Sequence, residues 1–205
     1  MKVVLLNGSP HKDGCTFTAL SEAAKELERN GIETEILQVG TEPVRGCISC
    51  WSCAKTGKCA FDDIANEWSA KIIEADGVIV GSPVYYGSAN GALCAVMDRI
   101  FFSASSRFRG KAAASVVSAR RGGAGNAFDR LNKYFGQSEM ILVTSQYWNS
   151  VHGMSPEEVK QDIEGLQTMR TLGRNMAWTI KALKAQKDSV GLPEKEPVTM
   201  TNFIR

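Results

Sequence analysis

Apolar and polar positions follow two different periods along this chain, and their alternation predicts strands and helices in turn. Short apolar runs without polar interruption, typical of strands buried on both faces, occur at residues 3–6 and 78–80. Residues 112–117, apolar apart from Ser115, predict another strand. Residues 32–39 and 140–144 predict two further strands. We therefore expect five strands in this part of the chain, with helical stretches between them.

Apolar residues spaced three or four positions apart predict the helices. The first four such stretches are marked by Phe17, Leu20, Ala24 and Leu27, by Ile64, Trp68 and Ile72, by Leu93, Val96, Met97 and Ile100, and by residues 127–135. Asp62 or Asp63 can cap the second of them. The last helix begins at Ser155, where Ser-Pro-Glu-Glu resembles a capping box, and continues through Met176. The pattern fails after about residue 186.

This alternation predicts an α/β fold in which helices cover both faces of a parallel sheet. In such sheets, ligands bind at the carboxyl ends of the strands. The chain of 205 residues suits one domain, which we place at residues 1–186, followed by an irregular tail at residues 187–205. The 24 Lys and Arg residues nearly balance 22 Asp and Glu residues, so no charged surface for nucleic acid is expected.

Hydropathy argues against a membrane protein, since no apolar run approaches the roughly 20 residues that a membrane helix needs. The first strand begins almost at once, without a signal peptide before it, and we therefore expect a cytoplasmic protein. Thiols stay reduced in that compartment, so the six cysteines favour metal or redox chemistry over disulfides.

The loop after the first predicted strand, residues 7–18, has the character of an anion site. The hydroxyls of Ser9, Thr16 and Thr18 accompany the backbone N–H groups of a helix N-terminus. The loop is not a Walker A motif, because Cys15 stands where that motif needs lysine. A single terminal phosphate, as on FMN, fits better than a pyrophosphate. A polar turn without a ligand is the alternative.

Two further loops, residues 81–88 and 118–125, follow the third and fourth strands and belong to the same edge of the sheet. The aromatic rings and backbone of the first suit a planar heterocycle. The glycines of the second allow a close approach of the backbone to a ring, and Arg120 or Arg121 can offset negative charge on a reduced flavin. The alternatives are a Pro-Gly turn and solvated arginines. Three converging loops together favour a ligand.

Four cysteines within residues 46–61 are the most specific chemical signal in the chain: Cys47, Cys50, Cys53 and Cys59. Thiols on so short a segment can meet at one centre at little cost in loop-closure entropy. They are the ligand set of an iron–sulfur cluster or a structural zinc. The overlapping C-x-x-C steps favour the cluster, because zinc ligands more often come as two separate pairs. A reduced loop without metal remains the third alternative.

The motifs at residues 6–10, 14–16, 81–85 and 97–99 resemble those of the flavodoxin-like NAD(P)H-dependent FMN reductase superfamily, over about residues 1–150. The resemblance implies a flavodoxin-like three-layer sandwich with a five-stranded parallel sheet of order 2-1-3-4-5. The chain departs from the family at Cys15, where asparagine is usual, and at Cys94, where lysine is usual. The resemblance also implies FMN bound by Ser9, Lys12, Thr16, Phe17, Thr18, Pro83, Val84, Tyr85, Tyr86, Gly87, Ala119, Arg120, Gly122 and Gly123.

Within that superfamily, the cysteine spacing is similar to that of the iron–sulfur flavoprotein branch. The resemblance then implies a 4Fe–4S cluster on Cys47, Cys50, Cys53 and Cys59. It implies an FMN-dependent oxidoreductase that takes electrons from NAD(P)H or a reduced carrier such as ferredoxin and passes them to a quinone, oxygen or another small acceptor. It also implies a homodimer or homotetramer.

No catalytic side chain is predicted, because the redox chemistry belongs to the cofactor. Two other functions stay open: a flavodoxin-like electron carrier without its own substrate site, and a thiol- or metal-sensing flavoprotein. Carriers of the first kind are usually strongly acidic, and the net charge of +2 weighs against this alternative.

Overall fold

The computed structural model describes residues 1–201 and 203–204 and shows one sheet between two layers of helices. Strands β1, β2, β3, β5 and β6 form the parallel path, in the order β2-β1-β3-β5-β6. Strand β4 pairs antiparallel with β3, and β7 pairs parallel with β5. The strands are β1 (Lys2–Asn7), β2 (Glu33–Gln38), β3 (Gly77–Tyr85), β4 (Ser88–Ala89), β5 (Ala112–Ala119), β6 (Ile141–Leu142) and β7 (Ser150–His152). The predicted order 2-1-3-4-5 is confirmed, with two short additions.

Helices cover both faces of the sheet because successive side chains of each strand point to opposite sides. On β1, Val3 and Leu5 belong to the apolar core under α1 and α7, whereas Val4 and Leu6 belong to the core under α3, α4 and α5. This explains the uninterrupted apolar run at residues 3–6. The helices are α1 (Cys15–Arg29), α2 (Ser52–Thr56), α3 (Ile64–Glu74), α4 (Gly91–Ala104), α5 (Ala124–Gln137), α6 (Pro156–Val159) and α7 (Ile163–Val190), with a 3₁₀ turn at Ser105–Arg107.

The fifth predicted strand is divided, which corrects the expectation of one strand at residues 140–144. Strand β6 ends at Leu142, and β7 resumes the pairing with β5 eight residues later, at Ser150. Between them the side chain of Asn149 donates to the backbone oxygen of Ser115 at 3.0 Å, and its backbone oxygen accepts from Val117 at 2.9 Å. The amide thus replaces the missing strand pairing and lets the intervening residues leave the sheet.

The last predicted helix is also divided. Ser155 caps the short helix α6 by accepting the N–H of Glu158 at 3.3 Å, as its motif predicts. Asp162 then caps α7 by accepting the N–H of Gly165 at 2.9 Å, and it accepts the N–H of His152 at 2.7 Å. The second contact comes from β7, so the division depends on a contact with the neighbouring strand rather than on the local pattern of the helix.

The predicted irregular tail begins later than expected. Residues 187–190 form the last turn of α7, where Lys184 and Asp188 make an ion pair of 3.0 Å one helical turn apart. The helix ends at Gly191, which has a φ of 80°. Residues 202 and 205 of the predicted tail lie outside the described residues. Among the helices described here, we find none with the length and apolar character to span a bilayer.

Candidate functional site

A cavity of about 530 Å³ lies at the carboxyl ends of β1, β3 and β5. The three loops that the sequence analysis selected meet there, as expected for a sheet of this topology. Seven predicted binding residues line it: Ser9, Thr16, Pro83, Val84, Tyr85, Ala119 and Arg120. The other wall consists of residues 153–156, which follow β7, and the sequence analysis missed their contribution.

Helix α1 presents its N-terminus to this cavity. Gly14 occupies the N-cap position, where it provides no capping side chain, and it lines the cavity together with Cys15 and Thr16. The N–H groups in the first turn of a helix have no partner within the helix, and the aligned peptide dipoles place partial positive charge there. This end of the cavity is therefore suited to an anion such as a phosphate.

Two amides that the sequence analysis did not select hold the loop after β1 in place. Asn7 is fully buried, and its Oδ1 accepts the N–H of Ser9 at 3.1 Å while its Nδ2 donates to Gln38. Gln38 in turn donates to the backbone oxygen of Ser9. Asn7 and Gln38 are partners in the register of β1 and β2. The sequence did contain a signal for this contact, because Asn7 and Gln38 are polar residues at the ends of two neighbouring predicted strands.

Thr16 joins the first turn of α1 to the end of β5. Its hydroxyl lies 2.8 Å from that of Ser118, and both residues are buried. Thr18 differs, because its hydroxyl donates to the backbone oxygen of Gly14 at 3.1 Å inside the helix. Seven predicted residues belong to the same loops but are not part of the cavity lining: Lys12, Phe17, Thr18, Tyr86, Gly87, Gly122 and Gly123.

The loops after β3 and β5 contact each other through glycines. Tyr86 and Gly87 form the tip of the β3–β4 hairpin with φ values of 50° and 73°, as a two-residue type I′ turn requires. A Cβ atom on Gly123 would lie 3.0 Å from the Cα of Gly87 and 3.1 Å from a methyl group of Val84. The glycines therefore allow the backbones of the two loops to approach closely beside the cavity.

Two cysteines outside the four-cysteine segment are shielded from solvent to different degrees. Cys15 lines the cavity and donates to the backbone oxygen of Gly153 at 3.7 Å, and burial raises the pKa of its thiol. Cys94 lies on α4, away from the cavity lining, and burial likewise raises the pKa of its thiol. Both thiols are therefore protonated at neutral pH.

The four cysteines of the segment line a second, smaller pocket. Ile48, Trp51, Phe61 and Phe102 cover it with apolar surface, and the rings of Trp51 and Phe102 meet edge to face at 5.3 Å. The backbone is strained there, since Ser49 and Trp51 have φ values of 53° and 59°. Over the described part of the chain, no three Cys, His, Asp or Glu side chains converge closely enough to hold a metal ion.

Arg99 of α4 reaches this pocket and pairs with Asp63, the N-cap of α3. The guanidinium donates to both carboxylate oxygens, at 2.6 and 2.7 Å. Burial by itself raises the pKa of the Asp63 carboxyl. The hydrogen bonds from Arg99 and from the N–H of Ala65 lower that pKa by a larger amount, so it lies below its ordinary value. The pair fixes the start of α3 beside the cysteines.

Replacing Asp63 with asparagine is expected to destabilise the protein in a pH-dependent way. Because the folded-state pKa is lowered, the ionic contribution is complete above the unfolded-state pKa of about 3.9 and disappears as the pH falls through the folded value. Urea unfolding of both proteins at pH 7, 5 and 3 should show a difference that narrows only at pH 3. Asp62→Asn is the control, because all five N–H donors of Arg99 go to acceptors other than Asp62. A difference that stays constant down to pH 3 would contradict the charge argument.

Comparisons with known proteins place the chain in one family. The model of the family "NADPH-dependent FMN reductase" matches residues 1–154. An iron–sulfur flavoprotein of Methanocaldococcus jannaschii is 34% identical over 194 residues, which cover 90% of this chain and 100% of the relative. Further matched relatives carry the same name.

Solved structures show the fold. RosB, with a bound 8-demethyl-8-formylriboflavin-5′-phosphate intermediate, superposes with a TM-score of 0.73 at 16% identity, covering 100% of this chain and 94% of RosB. A flavodoxin, WrbA-like protein of Agrobacterium tumefaciens superposes with a TM-score of 0.62 at 18% identity, covering 88% of this chain and 97% of that one. The fold is therefore flavodoxin-like. With the family model matching three quarters of its length, the chain belongs to the NADPH-dependent FMN reductase family, alongside relatives named iron–sulfur flavoproteins.

Proposed function

We propose that this protein is an FMN-dependent oxidoreductase that takes electrons from NAD(P)H or a reduced carrier and passes them to a quinone, oxygen or another small acceptor. The observation that supports it most is the cavity at the carboxyl ends of β1, β3 and β5, with the uncapped N-terminus of α1 at one end. A flavin phosphate needs such an anion site, and its ring system needs the adjoining space between loops.

The residues around the cavity have distinct roles in this proposal. The N–H groups at the start of α1, together with Ser9 and Thr16, bind the phosphate. Pro83, Val84 and Tyr85 border the ring on one side, and Ala119 and Arg120 border it on the other. FMN held there would supply the redox chemistry, as an acceptor of electron pairs and a donor of one or two electrons. The chain contributes binding, orientation and shielding from water.

The cysteine segment fits a 4Fe–4S cluster by its donor chemistry. Four thiols line one pocket, apolar side chains surround it, and a buried arginine donates to one of the sulfur atoms. Thiolate ligands, shielding and N–H donors to sulfur are what such clusters need. We propose Cys47, Cys50, Cys53 and Cys59 as the ligands. The same thiols accept zinc, so metal analysis has to distinguish the two.

The proposal is tested by anaerobic purification followed by an absorption spectrum and analysis of FMN, iron, sulfide and zinc. We expect one FMN per chain, and oxidation of NADH or NADPH when a quinone is supplied. A colourless protein that takes up no added FMN would refute the proposal. Bound FMN without turnover of either nucleotide would instead favour the electron-carrier alternative.

Replacing Thr16 with valine is expected to weaken FMN binding about tenfold. The change removes a hydroxyl donor at the phosphate end of the cavity, and a hydrogen bond to a charged group contributes about 1.5–3 kcal/mol. It also leaves the buried Ser118 hydroxyl without its partner, which lowers the folding stability of the protein. Quenching of flavin fluorescence measures the dissociation constant. Thr18→Val is the matched control, since its hydroxyl bonds inside α1, and it should change binding by less than about threefold. Equal effects of the two substitutions would contradict the assignment of Thr16.

A further inference from the structure

The side chain of Arg99 contacts both ends of the four-cysteine segment. It lies on α4, and its side chain is 0% exposed. Its Nη1 donates to the backbone oxygen of Arg45 at 3.2 Å, just before the first cysteine. Its Nη2 donates to the backbone oxygen of Phe61 at 3.0 Å, just after the last. One buried cation thus joins the two ends of a segment that is otherwise largely exposed.

The remaining donors of Arg99 go to one sulfur atom and one carboxylate. Nε donates to the Sγ of Cys59 at 3.2 Å, and the two terminal nitrogens donate to Asp63 at 2.7 and 2.6 Å. An arginine has five N–H donors in a fixed planar fork, and here all five are used. Phe61 stacks on the guanidinium, with 5.4 Å between its ring centroid and Cζ.

This arrangement directs one N–H donor of a fixed guanidinium at the sulfur atom of Cys59. The positive charge is already paired with Asp63, so the group adds an oriented N–H donor at the sulfur without leaving a bare cation in the interior. The contact is directional, because the other four donors fix the plane of the fork. N–H donors to ligating sulfur atoms are among the features that set the reduction potential of an iron–sulfur cluster.

We infer that Arg99 is a positioning residue for the metal centre, which holds Cys59 as a ligand and raises the reduction potential of the bound cluster. The inference rests on the cluster part of the proposed function. It assigns to this arginine a role that neither the cysteine spacing nor the FMN cavity requires, since Arg99 is not part of the FMN cavity lining. Reduction adds negative charge to the centre, so an N–H donor stabilises the reduced form more than the oxidised form.

The test compares Arg99→Lys and Arg99→Gln with the wild type after anaerobic reconstitution with ferrous iron and sulfide. We expect FMN content to be unchanged, and the cluster to be lost to a chelator about tenfold faster. The midpoint potential should fall by about 59 mV, a tenfold change in the equilibrium constant for one electron. Lysine keeps the charge but cannot supply the fork, so Arg99→Lys remains informative if Arg99→Gln does not fold.

Arg107→Gln is the matched control. Arg107 donates to the backbone oxygen of Gly57 at 2.6 Å, within the same segment, and over the described residues it has no hydrogen bond to a cysteine sulfur. A potential unchanged by Arg99→Lys would overturn the inference, as would an equal shift in Arg107→Gln. If the wild type itself retains FMN but no iron after reconstitution, both the cluster proposal and the inference about Arg99 fail. A wild type that holds iron while Arg99→Lys behaves identically refutes only the role of Arg99.

Discussion

Replacing Gly8 with alanine is expected to destabilise the protein by about 2 kcal/mol or more and to weaken FMN binding with it. A Cβ atom at this position would lie 2.4 Å from a methyl carbon of Leu93 and 2.8 Å from the backbone oxygen of Gly81. Leu93 is fully buried, and the N–H of Gly8 is itself bonded to that oxygen at 2.8 Å. Neither neighbour can withdraw freely, and overpacking of this kind typically costs about 1–3 kcal/mol.

The effect on FMN follows because Gly8 connects two residues that shape the phosphate end of the cavity, Asn7 and Ser9. Urea unfolding and flavin fluorescence measure the two effects on the same protein. Gly91→Ala is the matched control, since no atom lies within 4 Å of the added Cβ and the residue is exposed. It should change stability by less than about 1 kcal/mol. A Gly8→Ala variant as stable as Gly91→Ala would contradict the predicted clash of the added Cβ atom with Leu93 and Gly81.

Replacing Cys50 with serine is expected to remove most of the bound iron while leaving FMN in place. Cys50 is exposed, so the substitution costs little folding free energy, yet a hydroxyl is a poor substitute for a thiolate ligand. The pocket of the four cysteines and the FMN cavity share no lining residue among those described. Iron and sulfide analysis beside the flavin spectrum should therefore show a loss of about tenfold in both iron and sulfide, with the flavin content unchanged.

Cys94→Ser is the control for that experiment, because Cys94 is a cysteine of the same protein that lies outside the four-cysteine pocket. It should retain the iron content of the wild type. Iron that survives Cys50→Ser would mean that Cys50 is not a ligand. Zinc found in place of iron in both proteins would assign the segment a structural role. Unchanged turnover in an iron-free variant would leave sensing or structure as the purpose of the cysteines.

The strands of the sheet core were predictable because their burial on both faces leaves a direct trace in the sequence. Residues 3–6 are apolar without interruption and residues 112–117 are apolar apart from Ser115, and each run contributes to the cores on both sides of the sheet. The interrupted fifth strand was not predictable, since its gap depends on Asn149 bonding to Ser115, 34 positions away. The division between α6 and α7 has the same origin, in the contact of Asp162 with β7.

The candidate site was predictable to the level of loops but not to the level of atoms. The rule that ligands bind at the carboxyl ends of parallel strands selected residues 7–18, 81–88 and 118–125, and parts of all three line the cavity. The rule does not state which side chain of a loop faces inward. Thr16 faces the cavity and Thr18 bonds within α1, although both carry the same hydroxyl.

By itself, the sequence determined the order of strands and helices, the loops at the ligand edge, and the four thiols gathered on one short segment, because periodicity and local spacing encode each of these. Only the tertiary structure decided that Asn7 and Gln38 hold the loop after β1 in place and that Arg99 binds both ends of the cysteine segment. Arg99 lies 40 positions from Cys59 and 54 from Arg45. The five hydrogen bonds of Arg99 form only when α4 packs beside the cysteine segment, so no local sequence pattern predicts these bonds.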